Sequence, residues 1–441
     1  MPTLLTSTGY GNTGSSAATN ILEEFELVKS FGNAEFTFAH EPDGIADLEN
    51  SLLEGHRLKT DLAVKRFLKL SQDLSADYNY RNCFNGKFEK ITKEYIKSVI
   101  PCDWDGWWHR SDETEYLSER QKKKIKILRE LYSLYLRDNT SYGLYEPDNW
   151  QPTYCPLSKE YYANLHSLEL KNDFLKKTRN FTDKLLKETG VKDSKYKYIL
   201  LDQAVPPISF SRYLRYFTSP KVIIVDREPR DLYVMNKVFW GSAYVPTNDI
   251  HIFIKWYSQT RQSRKNDLSD LNKIESGEVL FMQFESFIYE YDSSVKKIIN
   301  YTGLSSNEHK YKLKHFNPDL SIKNTQVFVN YPELQNDIKL IEQNLGEYCY
   351  NFPYTKDKTE KKEEKYFFMD EINQKFHKMK KSSKLLKGTR KYFLNIIYKY
   401  TRFYRNTHDP NLRINLFSSI KIFLKLILCP FELLYYYLKY F

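Results

Sequence analysis

Three of the chain's 15 glycines fall within six residues, Gly9-Tyr10-Gly11-Asn12-Thr13-Gly14, and Ser15, Ser16 and Ala17 follow at once. Glycine lets a backbone close around an anion, and the first N–H groups of a helix point at that anion with the dipole behind them. Thr13, Ser15 and Ser16 add hydroxyl donors. These are the parts of a phosphate cradle. The spacing from Gly9 to Gly14 matches the first half of the nucleotide loop G-x-x-x-x-G-K-[ST], with Ser15 where the lysine belongs. Without that charge on the β- and γ-phosphates, ATP or GTP hydrolysis and a nucleotide kinase are poor readings. A glycine turn that merely opens a helix is the plain alternative.

A second group of residues suits the same ligand. Lys221-Val-Ile-Ile-Val-Asp226 runs straight into Arg227-Glu228-Pro229-Arg230-Asp231. A guanidinium there would meet a fixed phosphate as a planar fork, or pair with Asp231 or Glu228 for structure alone. Proton acceptors occur in two places. One is the turn His40-Glu41-Pro42-Asp43-Gly44; the other is Asp202-Gln203, which closes an apolar run from Tyr198. Glu41, His40 and Asp202 are the candidate bases, in that order, although turn chemistry around Pro42 and Gly44 also accounts for His40 and Asp43. Trp104, Trp107 and Trp108 lie between acids in Asp103–Arg110. They read as a sugar-stacking acceptor site or as a loop whose indoles enter the core.

These residues need elements to hold them. Leu4-Leu5-Thr6 reads as a strand, and Ala17, Ala18, Ile21, Leu22 and Phe25 recur at helical spacing, giving strand, glycine loop and helix. Lys221–Asp226 suits a strand buried on both faces of a parallel sheet, with Pro229 in the first turn of the next helix. Arg227 then stands at the carboxyl end of a central strand, where open α/β sheets bind ligands. Helical patterns cover Asp47–Leu70 and Glu115–Leu136. The expected fold is a three-layer α/β/α domain with a central parallel sheet over residues 1–355, with a helical insertion at 46–190.

The two loops resemble those of PAPS-dependent sulfotransferases (PAPS is 3′-phosphoadenosine 5′-phosphosulfate). Gly11-Asn12-Thr13-Gly14-Ser15-Ser16 is similar to the family's 5′-phosphosulfate loop, G-[KR]-[ST]-G-[ST]-[ST]. Val225-Asp226-Arg227-Glu228-Pro229-Arg230-Asp231 is similar to its 3′-phosphate motif, a strand followed by R-[ND]-P-x-D. Phe253–Tyr257 on a helix, Val279–Phe287 as a strand running into a helix that ends at Gly303, Phe316-Asn-Pro318 with Ser321 and Asn324, and Asp337–Phe352 as a closing helix agree with bacterial members. The resemblance covers about residues 1–45 and 195–355. It implies sulfuryl transfer from PAPS to a hydroxyl of a glycan or lipid-linked saccharide, leaving PAP, with no metal.

Residue by residue, it implies that Gly11, Asn12, Thr13, Gly14, Ser15, Ser16 and Ala17 hold the 5′-phosphosulfate. Arg227 and Asn236 would take the 3′-phosphate, and Gln203, at the end of the Tyr198 strand, would face the acceptor. Two positions depart from the family. Asn12 replaces its lysine or arginine, and Met235, next to Asn236, replaces its serine eight residues after the arginine. Lys323 or Arg230 would have to supply the missing cation. The alternative is a degenerate member that binds a nucleotide or glycan without turnover.

Charge locates a separate feature. The 441 residues hold 67 basic and 56 acidic side chains; residues 356–441 carry 20 and 8 of these, leaving the first 355 with 47 and 48. A neutral body lacks the basic footprint of a nucleic-acid-binding core. In the tail, Lys375–Arg413 is basic with interleaved Phe and Tyr, and Ile414–Phe441 is strongly apolar and aromatic but broken by Lys421, Lys425, Pro430 and Glu432. The tail reads as interfacial helices on an anionic membrane surface, or as an appendage packed on protein. Five scattered cysteines with no Cys-x-x-Cys pair argue against a disulfide framework or zinc site and for a reducing compartment. Met1-Pro2-Thr3-Leu4-Leu5 shows no leader pattern. A cytoplasmic location is expected, peripheral on the inner membrane face.

Overall fold

The computed structural model describes residues 2–100, 102–106, 151–155, 168–189, 196–241, 244–271 and 278–356. All of these lie in the first of the two units into which the chain divides, Met1–Glu363 and Glu364–Phe441. Trp107, Trp108, the helical pattern at Glu115–Leu136 and the whole basic run at 375–441 lie outside the described residues.

β1 (Thr3–Gly9) and β2 (Val28–Glu35) come first. β3 (Cys102–Gly106) and β4 (Gln151–Cys155) form a separate antiparallel ribbon, and β5 (Tyr198–Asp202), β6 (Lys221–Asp226) and β7 (Glu278–Gln283) complete the series. The main sheet has the order β2-β5-β1-β6-β7, and every neighbouring pair is parallel. Leu4, Ile199, Leu201, Val222 and Ile224 enter the core on one face; Leu5, Leu200, Ile223 and Val225 enter the core on the other. Successive strand side chains point to opposite faces. A central strand covered on both sides therefore favours apolar residues on both faces, and that is the origin of the continuous apolar run within Lys221–Asp226.

Helices supply both covers. α1 (Ser15–Leu22) lays Ala17, Ala18, Ile21 and Leu22 on one face. The other face receives α2 (Ile45–Glu54), α3 (Arg57–Ala76), α4 (Tyr78–Cys83), α5 (Phe88–Val99), α6 (Leu168–Lys187) and α7 (Phe210–Leu214). Phe67, Phe88, Tyr95, Phe181 and Phe210 from these helices share the core with Leu4 and Ile224. α8 (Pro229–Met235), α9 (Ile250–Leu271) and α11 (Gln335–Leu345) meet in a third cluster around Leu232, Phe253, Tyr257 and Ile341. Between α9 and α11 in sequence, α10 (Tyr291–Thr302) ends at Gly303 with φ 62°, as its sequence implied.

Three expectations change. The pattern at Asp47–Leu70 is two helices, because Gly55 leaves α2 in the left-handed region (φ 74°) and His56 caps α3. The insertion is not purely helical, since β3 and β4 pair within it. The closing helix stops at Leu345 and passes through a 3-10 turn, Gly346–Tyr348, instead of continuing to Phe352. Among the described residues, no helix is long and apolar enough to cross a membrane.

Candidate functional site

Topology puts a crevice beside the glycine loop. From β1 the chain leaves towards β2, and from the adjacent β6 it leaves towards β7, on the opposite side. Neighbouring strands whose connections diverge leave a gap at their carboxyl ends, the usual ligand position in an open parallel sheet. Residues 9–14 and Arg227 flank that gap.

The loop is drawn tight by its own side chains. The Thr13 hydroxyl accepts from the Tyr10 N–H (3.1 Å) and donates to the Val225 carbonyl (2.7 Å), tying the loop to β6. Of the three hydroxyls expected to face an anion, Thr13 is thus spent inside the protein and buried. A Cβ on Gly9 would sit 2.1 Å from Thr13 Oγ1. Gly11, Asn12 and Gly14 adopt φ of 93°, 53° and 87°. Such a sequence of left-handed residues turns consecutive N–H groups to one concave side. Among the described residues, the amides of Gly11, Asn12, Thr13, Gly14, Ser15 and Ser16 have no acceptor. Ala17, by contrast, donates to Gly14 O (2.9 Å) and is buried. Ser16 is exposed.

Arg227 forms the other wall and is 5% exposed. Its terminal nitrogens donate to the main-chain carbonyls of Asn12 (3.3 Å) and Asn324 (2.5 Å), and the guanidinium lies 4.8 Å from the Phe284 ring centroid. Nε has no partner among the described residues. The structural pairing with Asp231 or Glu228 does not occur. Glu228 binds Arg230 (2.6 Å), which also reaches Glu342 (2.8 Å), while Asp231 accepts from the N–H groups of Gln326 (2.6 Å) and Phe328 (3.2 Å). Arg230 is therefore committed elsewhere. Lys323 is exposed and next to Asn324, whose carbonyl Arg227 holds.

Burial raises two carboxyls near this guanidinium, Glu285 to about 8 and Asp231 to about 6, against the downward pull of Arg227 itself. Tyr257 OH donates to Arg227 O (2.9 Å). Asp226 is clamped by Arg261 (2.7 Å) and Arg264 (3.1 Å). Sequence reasoning missed this clamp, whose one visible signal is two arginines three residues apart on α9.

Asn12 and Asn236 meet. Asn12 Nδ2 donates to Asn236 Oδ1 (2.7 Å), and Asn236 Nδ2 donates to Leu232 O (2.8 Å). Asn236 is fully buried at the start of a π-helical turn, Asn236–Trp240. Asn12, which departs from the family pattern, and Asn236, next to the departing Met235, thus form one neutral clasp.

The candidate bases separate. His40 Nε2 lies 2.7 Å from Gln203 O. A carbonyl only accepts, so Nε2 carries the proton and Nδ1 keeps its lone pair. Burial lowers the His40 pKa, which leaves the ring neutral at pH 7. Gln203, at φ 59°, donates from Nε2 to Ser15 Oγ (3.0 Å) and accepts from the Thr8 hydroxyl (2.7 Å). His40, Gln203 and Ser15 therefore form one line to the start of α1. Glu41 turns back to accept from the Thr37 hydroxyl at 2.7 Å.

Asp202 lies beneath α1, where its Oδ1 accepts from Ser7 (2.9 Å) and Thr19 (3.1 Å). It is 4% exposed, and burial raises it from 3.8 to about 7. Native chains then hold a proton that unfolded chains release between these pH values, so stability falls as pH rises through that window. Asp231 and Glu285 act in the same direction. Asp202→Asn should match wild type at pH 4 and exceed it above pH 7, by a few kcal/mol at most. Thermal melts across pH check this, and an unchanged pH profile would contradict it.

Trp104 sits on β3, half-buried, with the Arg57 guanidinium 5.3 Å from its ring centroid. Among the described residues, no cluster of three His, Cys, Asp or Glu side chains suits a metal ion. Comparison with protein-family models and with curated proteins gives no match.

Proposed function

We propose that the chain is a PAPS-dependent sulfotransferase acting on a hydroxyl of a glycan or lipid-linked saccharide, with its basic tail on an anionic membrane surface. One observation carries the reading. Among the described residues, six consecutive amides without an acceptor lie at the divergence point of a parallel sheet, beside a buried guanidinium whose Nε has no partner. That combination suits a nucleotide with phosphates at two positions. The amides of residues 11–16 take the 5′-phosphosulfate, and the Arg227 nitrogens exchange main-chain carbonyls for the 3′-phosphate.

In this reading the acceptor oxygen attacks sulfur, the bond from sulfur to the bridging oxygen breaks, and the charge left on PAP rests on the amides. As in phosphoryl transfer, positioning and fixed dipoles supply most of the acceleration. The acceptor proton goes to His40 Nδ1, whose orientation Gln203 O sets. Glu41, directed to Thr37, is the weaker choice.

A second reading has one specific support. The Asn12–Asn236 clasp places a neutral amide where the family has a cation, which favours binding without turnover. Calorimetric titration of the full chain with PAP, against ATP and ADP, tests both readings. Micromolar PAP binding with little for ATP is expected, and no PAP binding would overturn the sulfotransferase reading and the PAP-binding form of the second. His40→Gln should keep PAP affinity and lower turnover about 100-fold or more, while Glu41→Gln changes it little. Tight PAP binding with no sulfated product from any hydroxyl acceptor would select the second reading.

A further inference from the structure

Cysteines that look unrelated in the sequence are neighbours in the ribbon. Cys102 is the direct cross-strand partner of Cys155, followed by Asp103 with Tyr154 and Trp104 with Thr153. Directly opposed antiparallel residues share a face and lie about 4.5–5.5 Å apart at Cα, within the roughly 4.4–6.8 Å that a disulfide spans. α3 holds this register from the side. Tyr154 N–H donates to Asp61 Oδ1 (2.8 Å), and Arg57 lies over Trp104.

The other described cysteines are poor nucleophiles. Burial holds the Cys83 thiol well above its ordinary value, and burial with nearby Glu228 pushes Cys349 up to about 12. The thiolate is the reactive form, so both stay protonated. Cys102 is half-buried, whereas Cys155 is buried.

We propose that Cys102 and Cys155 are a redox-switched pair, closed by a small disulfide such as oxidised glutathione and reopened by thiols. The Cys102 thiolate attacks one sulfur of oxidised glutathione, breaking its S–S bond. One glutathione thiolate leaves and takes up the proton that Cys102 lost. The Cys155 thiolate then attacks the Cys102 sulfur and expels the second glutathione, which takes up the Cys155 proton. Two cysteine thiols are oxidised to one disulfide, and one glutathione disulfide is reduced to two thiols. In a reducing compartment the pair rests as dithiol. Once formed, the bond closes a covalent ring of residues 102–155, the stretch that contains Trp104, Trp107 and Trp108. The proposal is independent of the donor site, and its test needs no PAP.

The full chain is equilibrated in glutathione buffers of rising oxidised fraction, quenched by alkylation, digested without reduction and mapped by mass spectrometry. The expected result is a Cys102–Cys155 cross-linked peptide lighter by two hydrogens, with alkylation of both residues falling about tenfold or more and restored by dithiothreitol. Cys155→Ser should trap glutathione on Cys102, while Cys102→Ser leaves Cys155 unmodified. Full alkylation of both cysteines in the oxidised wild-type chain, or a link from Cys102 to any other cysteine, overturns the proposal. The wild-type map decides even if a variant fails to fold.

Discussion

Arg227→Ala is expected to abolish PAP binding and to weaken the fold in the same step. Two part-buried carbonyls, those of Asn12 and Asn324, lose their donor, at up to about 1–3 kcal/mol each when nothing replaces it. Glu285 and Asp231 also lose the cation that draws their pKa values down. Charge-assisted bonds to a phosphate contribute about 1.5–3 kcal/mol each, so losing two predicts a fall in PAP affinity of about 100-fold or more. Arg227→Lys separates the roles, because it keeps the charge and loses the planar fork. It should recover part of the stability and less of the affinity. Calorimetry and thermal melts on the three proteins check this. Wild-type PAP affinity in Arg227→Ala would remove Arg227 from the donor site.

Gly14→Ala should be nearly as damaging, for two separable reasons. At φ 87° the residue is left-handed, and an added Cβ would lie 2.5 Å from Phe284 Cδ2. The conformational part costs about 1–2 kcal/mol. The overlap adds more, because Phe284 is buried and its ring also packs on the Arg227 guanidinium. Gly32→Ala is the control. Its φ is 71°, but the nearest atom to its Cβ is Glu23 Oε1 at 4.0 Å, so it bears the conformational part alone. Gly14→Ala should therefore melt well below Gly32→Ala and alone lose PAP binding, since a displaced loop misaligns all six amides. Equal melting points would show that Phe284 yields and that the steric account is wrong.

The clasp between Asn12 and Asn236 illustrates what was hidden. Read locally, Asn12 was a departure from a family pattern and Asn236 only the neighbour of another, Met235. Only folding brings positions 224 residues apart to 2.7 Å, and no local spacing rule encodes such a pair. Asp202 is similar. Its place at a strand end suggested a base, but strand alternation turns its carboxyl under α1 towards Ser7 and Thr19. The Cys102–Cys155 register was likewise invisible, because it depends on how two distant strands align.

Local chemistry was legible wherever a pattern has a single physical solution. Gly9 to Gly14 had to be a tight loop opening a helix, and Lys221–Asp226 had to be a strand buried on both faces. Pro229 had to fall in a helical first turn, and Gly303 had to end a helix. Those assignments follow from steric freedom and from burial, which act over a few residues. Which hydroxyl remains free, which carboxyl faces solvent and which arginine keeps a spare nitrogen depend on long-range packing, and only the tertiary structure decided them.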